Sequence, residues 1–141
     1  MNAEEKDILL KDLSARLAYN VEVMLENNLI VLAGETDKYY NYTLKPRHLE
    51  LLMTRNDFFI KPYLRSLNTM TDNEREELGE LCDKDLNEFA GHIRNGHGLS
   101  HDGLYMFNNL RQLEWLLEHH FDFRNLIGKG LAIEAPKNMY R

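Results

Sequence analysis

Residues 9–26 read LLKDLSARLAYNVEVMLE, and the spacing of the apolar side chains changes part-way along this stretch. In its first half, leucines recur at three- and four-residue steps, which is the repeat of an amphipathic helix. From Tyr19 onward, apolar residues occupy alternate positions, which is the repeat of a half-buried strand. The change predicts a helix over residues 4–17 that leads directly into a strand over residues 19–26.

More strand signals follow this first pair of elements. Three runs that are apolar or rich in Tyr and Thr have the length of strands, and they span residues 29–33, 39–44 and 57–61. Pro62 is expected to end the last run, because proline lacks the N–H that a strand donates. Residues 45–56 fit either a helical turn or a strand. Short strands need a packing partner, so we expect a small antiparallel sheet or barrel packed against the first helix.

The second half of the chain carries helix signals. Residues 71–74 read TDNE, a capping box in which the Thr71 hydroxyl accepts from the Glu74 N–H and the Glu74 carboxylate accepts from the Thr71 N–H. The apolar residues behind it predict a helix over residues 72–94. A last helix is predicted over residues 110–120. Its inward-facing residues are expected to be Leu110, Leu113, Trp115, Leu116 and Leu117.

These elements predict an α+β fold: an N-terminal helix, a small antiparallel sheet or barrel, and C-terminal helices packed on it. The 141 residues are enough for one domain. No Pro-, Gly- or Ser-rich linker divides them, so residues 1–141 are expected to share one core. Within it, residues 1–65 would form a helix plus β-meander. Residues 66–141 would form a mainly helical part whose tail is apolar enough to pack.

Composition points to a soluble protein. The chain has 17 Lys and Arg against 23 Asp and Glu, a net charge of −6, which argues against a generic coat for nucleic acid. No apolar run approaches the ~20 residues of a membrane-spanning helix, and the acidic N-terminus is unlike a signal peptide. The lone Cys82 excludes an internal disulfide and fits a reducing compartment. We therefore expect a cytoplasmic protein with no membrane partner.

Three segments resemble a known group of sequences. Residues 60–71 read IKPYLRSLNTMT, residues 11–17 read KDLSARL, and residues 120–136 run from HFDFRNLI to GLAIEAP. Together they resemble a family of uncharacterised proteins encoded by phages and prophages of gut Bacteroidales. The resemblance implies an accessory gene of a mobile element, and it carries no established activity, cofactor or catalytic residue. The chain departs from the family at Asn125, where a glycine is expected, and at Ala18, where a proline is common.

Histidines cluster in a glycine-rich loop and suggest a metal-site hypothesis. A transition-metal site needs three or four converging ligands, and the spacing around His97 and His101 matches no known ligand pattern. Ser100, His101 and Asp102 have the residue types of a catalytic triad, but adjacent residues cannot form one. Cys82 has acidic neighbours, which disfavour a thiolate. No metal, no cofactor and no enzymatic activity are therefore expected.

Charge is unevenly distributed along the chain. Residues 38–65 hold six basic and two acidic residues, interleaved with Tyr and Phe, whereas residues 71–90 hold eight acidic and two basic residues. Basic residues among aromatic ones can grip nucleic acid, and an acidic helix face can dock on a basic protein. The alternative is that the aromatic side chains are core and the two blocks pair with each other. The candidate binding residues are Lys45, Arg47, Arg55, Lys61, Tyr63, Arg65, Glu76 and Glu80.

Three functions remain open at the level of sequence. The first is a small phage or prophage accessory protein that binds another protein and modulates a host or defence protein. The second is a nucleic-acid-binding accessory protein that uses the basic block. The third is an enzyme with a site hidden by sequence order, with His97, His101 and Asp102 as its candidates. The lack of a catalytic constellation favours the first, and a cleft joining the histidine loop to His119 or His120 would favour the third.

Overall fold

The structure, a computed structural model, describes residues 1–25, 41–55, 58–81 and 110–140. The predicted strand at 29–33, the predicted helix beyond residue 81 and the histidine loop lie outside the described residues. The described helices are α1 (Ala3–Arg16), α2 (Pro46–Thr54), α3 (Asp72–Glu80) and α4 (Leu110–Glu118). The described strands are β1 (Glu22–Leu25), β2 (Tyr42–Thr43), β3 (Ile60–Leu64) and β4 (Ile133–Glu134). The fold is α+β, as predicted, and none of these helices has the length and apolarity needed to cross a membrane.

Helix α1 is followed by the strand β1, in the predicted order, but the strand begins at Glu22 rather than at residue 19. The N-terminus of α1 is closed by a capping box, in which the Asn2 side chain accepts from the Glu5 N–H at 2.8 Å and the Glu5 carboxylate accepts from the Asn2 N–H at 3.1 Å. After a 3₁₀ turn over Leu17–Tyr19, Asn20 adopts a left-handed backbone with φ 57°. Asparagine tolerates that conformation better than most residues, and it redirects the chain into the sheet.

The sheet is mixed rather than purely antiparallel. Its order is β2-β1-β3-β4, with β1 antiparallel to both of its neighbours and β4 parallel to β3. Strand β4 comes from the tail, where the sequence predicts no strand, because two residues are too few to show an alternating pattern. The tail therefore reaches the sheet edge through long-range pairing with β3.

The prediction that Pro62 ends the strand over residues 57–61 is wrong. Pro62 lies buried in the middle of β3, opposite Val23 of β1. A proline is tolerated in a strand where the ladder does not need its missing N–H. On the other side, β4 pairs with β3 only from Tyr63 onward, one residue past the proline. The proline thus precedes the point where the second neighbour begins.

Residues 45–56, which by sequence fit either a helical turn or a strand, contain the helix α2. Pro46 occupies its first turn, where a missing N–H costs nothing. The His48 ring accepts from the Lys45 N–H at 3.1 Å, which satisfies a backbone donor at the helix start. His48, Leu51 and Leu52 form the buried face. Pro46 in the first turn and the three- and four-residue spacing of the buried side chains explain why a helix forms here.

In the second half, the capping box of α3 is confirmed. The Glu74 N–H donates to the Thr71 hydroxyl at 3.1 Å, and the Thr71 N–H donates to the Glu74 carboxylate at 3.0 Å. In α4, Trp115 and Leu116 are buried as expected, but Leu110 is 69% exposed. Leu110 precedes the buried Gln112 by two residues, so it lies on the opposite side of the helix.

The buried apolar residues form two clusters. The first joins α1, α2 and the sheet, and it includes Leu126 and Leu131 of the tail. The second joins α3, α4 and the segment between β3 and α3, and it includes Phe121 and Phe123. The tail therefore contributes side chains to both clusters, which fixes its course between the sheet and the helices.

Candidate functional site

A cleft of about 930 Å³ opens where β3 ends. Its walls are the chain that follows β3, the start of α3, the C-terminal end of α4 and the tail from β4 onward. It thus lies at the carboxyl ends of β3 and β4, the two strands that pair in parallel. The polar residues that line it are Arg65, Ser66, Thr69, Thr71, Glu74, Glu118, His119, His120, Glu134, Lys137 and Tyr140.

An ion pair forms one wall of the cleft. The Arg65 guanidinium donates to both carboxylate oxygens of Glu74, at 2.6 and 2.8 Å, and more weakly to the His119 carbonyl at 3.4 Å. It also lies 4.1 Å from the centre of the Phe121 ring. Burial by itself raises the pKa of Glu74, but hydrogen bonds from Arg65 and Thr71 and the charge of Arg65 bring it below its usual value. The two charges therefore neutralise each other.

Two histidines end α4 and border the cleft. His119 stacks on Trp115 at 3.9 Å, and its Nδ1 lies 2.8 Å from the Trp115 carbonyl oxygen. His120 has φ 63° and stacks on Tyr140 at 3.8 Å. Burial, with the charges of Arg16 and Arg65 nearby, lowers the pKa of His120 to about 4. His120 is therefore neutral at neutral pH.

The tail wall is fixed by the Tyr140 hydroxyl. Its oxygen accepts from the Glu22 N–H of β1 at 2.9 Å and donates to the Tyr63 carbonyl of β3 at 2.7 Å. Burial raises the pKa of Tyr140 well above its ordinary value. The Ala135 N–H donates to the Leu64 carbonyl at 2.8 Å and provides the second attachment of the tail.

A buried ionic network contacts the chain that follows the two histidines of the cleft. Arg16 and Asp12, both 0% exposed, form an ion pair at 2.7 Å, and Arg16 also donates to the Phe121 carbonyl at 2.7 Å. The Arg124 Nε lies 3.4 Å from the other Asp12 oxygen. Asp122 accepts from two backbone N–H groups of the next turn, each at 2.9 Å. This network holds the corner that follows the two histidines.

We did not predict this network, although the sequence contains a signal for it. The buried residues of α1 are Leu9, Asp12, Leu13 and Arg16. They follow the spacing of a helix face, and the acidic and basic members are four residues apart, as an intrahelical ion pair requires. An acid and a base of this spacing on the apolar face indicate a buried pair.

The residues of the predicted basic block that the structure describes differ in exposure and in partners. Lys45, Arg47 and Arg55 are exposed around α2, where Arg47 pairs with Glu50 at 3.3 Å and the Arg55 carbonyl accepts from Lys6. Lys61 and Tyr63 are half-buried on β3, and two of the aromatic residues, Tyr42 and Phe58, belong to the core. Of the predicted binding residues, Arg65 is the one that lines the cleft, and it pairs with the acidic helix.

The acidic candidates are separate from the cleft. Glu76 and Glu80 are exposed on α3 and do not line it. Their neighbour Glu77 accepts a hydrogen bond from the Trp115 indole at 3.0 Å, so it ties α3 to α4. The metal candidates His97 and His101 lie outside the described residues. Within the part of the chain that the structure describes, no three His, Cys, Asp or Glu side chains converge as metal ligands do.

Comparison with known proteins gives no family assignment. No protein-family model, no curated protein and no solved structure matches this chain. The fold is therefore known from the elements described above. A proposal about function therefore has to come from the chemistry of the cleft.

Proposed function

We propose that this chain is a small accessory protein of a phage or prophage that binds another protein in the bacterial cytoplasm, modulates a host or defence protein, and uses the cleft as its docking site. The cleft of about 930 Å³, with its pre-set polar lining, is the observation that carries the docking site. The similarity of residues 60–71 to phage-encoded proteins supports the biological setting. The lone Cys82 supports a reducing compartment.

The lining suits binding better than nucleophilic catalysis. Two of its aliphatic hydroxyl groups are used in a local turn: Ser66 donates to the Asn68 side chain at 2.7 Å, and Thr69 donates to the Ser66 carbonyl at 2.6 Å. Thr71 serves as the N-cap of α3. A catalytic hydroxyl needs a neighbouring base, whereas these groups are engaged with backbone and amide partners. Such contacts hold the lining in place, which reduces the entropy lost on binding.

Charge favours a protein over nucleic acid as the partner. The cleft is lined by two cations, Arg65 and Lys137, and by three carboxylates, Glu74, Glu118 and Glu134. Binding of nucleic acid relies on an excess of cations against phosphates. The lining has an excess of carboxylates instead, and its more buried cation is already paired with Glu74.

A pull-down with matched variants tests this proposal. The tagged protein is incubated with nuclease-treated lysate of a Bacteroidales host, the captured partner is identified by mass spectrometry, and its affinity is measured with purified proteins. Lys137→Trp fills the cleft, whereas Lys11→Trp makes the same change on the exposed side of α1. We expect Lys137→Trp to weaken binding at least about tenfold, equivalent to about 1.4 kcal/mol, and Lys11→Trp to leave it unchanged.

Two results would contradict the proposal. If the partner is lost after nuclease treatment, the protein acts through nucleic acid, and the basic residues around α2 become the candidates. If Lys137→Trp and Lys11→Trp bind the partner equally well, the protein binds through another surface and the cleft is not its docking site.

A further inference from the structure

The charges that line the cleft indicate which part of a partner it receives. Resting on the proposed function, we infer that the cleft takes a lysine or arginine side chain of the partner protein, with its charged end between Glu118 and Glu134 and its aliphatic part along the tail. Three observations carry this inference. The Arg65 guanidinium is already paired with Glu74, two exposed carboxylates form no salt bridge among the described residues, and apolar side chains of the tail line the same cleft.

The strongest donor of the cleft is already engaged. The Arg65 guanidinium holds Glu74 through two hydrogen bonds and reaches the His119 carbonyl with a third. An incoming anion would have to displace Glu74, a carboxylate fixed in the capping box of α3. A ligand that brings donors of its own meets no such competition. The cleft therefore discriminates against an anionic ligand.

Two further carboxylates that line the cleft, those of Glu118 and Glu134, are exposed. Glu118 ends α4 and Glu134 lies on β4, and neither makes a salt bridge in the part of the chain described here. The position of Glu118 is unfavourable, because the C-terminal end of a helix carries partial negative charge. No basic residue occupies the last turn of α4 to offset it. A bound cation would relieve this repulsion as well as pair with the carboxylates.

The tail supplies an apolar surface for the stem of such a side chain. Pro136, Met139 and Tyr140 line the cleft on that side, and the Tyr140 ring is held by its stacking on His120. Lysine and arginine commonly lay their methylene groups on apolar surface and keep the charge at a polar end. Lys137 is exposed on the same rim, so its charge opposes the incoming cation.

The test uses the full chain and two single-residue probes, Nα-acetyl-arginine methylamide and Nα-acetyl-lysine methylamide, with the glutamine analogue as neutral control. Binding is followed by amide chemical shifts in NMR. We expect saturable shifts at the end of α4 and at β4, with a Kd on the order of millimolar, as suits a small fragment. The glutamine analogue should give no saturable shifts.

Charge-neutral variants make the test specific. Glu118→Gln with Glu134→Gln should weaken the arginine probe at least about fivefold, whereas Glu76→Gln with Glu80→Gln removes the same charge from α3 and should leave it unchanged. Lys137→Gln should strengthen binding about twofold, because it removes a like charge. Saturating shifts centred on α3, equal loss in both double variants, or no binding overturn the inference.

The same variants separate the inference from the proposed function. If Lys137→Trp releases the partner but the Glu118→Gln, Glu134→Gln variant binds it at full strength, the cleft is the docking site but does not take a basic side chain. If all these variants bind the partner equally, the cleft is not the docking site.

Discussion

Removing the hydroxyl of Tyr140 tests whether one oxygen atom fastens the tail to the sheet. The Tyr140→Phe substitution keeps the ring and its stacking on His120 and deletes the atom that joins β1 to β3. The Glu22 N–H at 2.9 Å and the Tyr63 carbonyl at 2.7 Å both lose their hydrogen bond to this oxygen. The loss should therefore appear as a lower free energy of unfolding and as a loosened tail.

The magnitude follows from these two contacts. Each backbone group is partly buried, so the loss of its hydrogen bond to Tyr140 costs about 1 kcal/mol rather than the upper value for a fully buried group. The two together give about 2 kcal/mol, which for a chain of this length corresponds to a fall in Tm of about 7 °C. Urea unfolding measures the free energy, and hydrogen exchange at the Glu22 amide measures the local loosening.

Tyr19→Phe is the matched control, since it deletes a hydroxyl that has no hydrogen-bond partner within the described part of the chain. It should change the free energy of unfolding by less than about 0.5 kcal/mol. If Tyr140→Phe costs no more than this control, or if exchange at the Glu22 amide is not faster, the hydroxyl does not fasten the tail and the argument fails.

Further predictions concern the network behind the cleft. Stability should fall as the pH is lowered from about 7 toward 4, because the pKa of His120 is lowered to about 4 from 6.5, so the unfolded chain takes up the proton first. His120→Asn, which suits the same backbone conformation, should flatten that part of the curve in urea titrations, and an unchanged slope would rule out this group as its source. Arg16→Met should cost about 3–5 kcal/mol by leaving the buried Asp12 carboxylate without its main partner. Adding Asp12→Leu should restore much of that loss in a double-mutant cycle, whereas a double variant no more stable than Arg16→Met would contradict the ion-pair account. Asn125 has φ 57°, so Asn125→Ala should lower the free energy of unfolding by about 1 kcal/mol while Asn125→Gly stays within about 0.5, and equal effects would show that the backbone is not the cause.

The sequence predicts elements whose signal is local. The capping box at Thr71 and the spacing of leucines in α1 depend on residues within one or two helical turns, and both predictions are confirmed. Strand β4 was missed because its two residues form a strand only through pairing with β3, 70 residues earlier. The placement of Pro62 was wrong for the same reason, since what a proline costs depends on which neighbouring strand needs its N–H.

The cleft could be foreseen only in pieces. Arg65 and the pair His119 and His120 attract attention in the sequence, but nothing local places them beside the tail. Two backbone contacts bring them together. Arg65 forms an isolated β-bridge with Phe121, and the Ala135 N–H donates to the Leu64 carbonyl. A site assembled from the ends of four elements has no motif of its own, so its members are recognised once the sheet order is known.

Counting charge by segment does not show which charges folding leaves unpaired, and the reason is general. Residues 38–65 and 71–90 carry the largest opposite charges in the sequence, yet folding joins them through Arg65 and Glu74 and so cancels part of both. Residues 91–141 hold five acidic and six basic residues and look neutral by count. Their carboxylates Glu118 and Glu134 nevertheless remain exposed on the cleft without an ion-pair partner in the described structure. The charge that is available to a partner is the charge that folding leaves unpaired, which is why the neutral-looking segment supplies the acidic wall of the cleft.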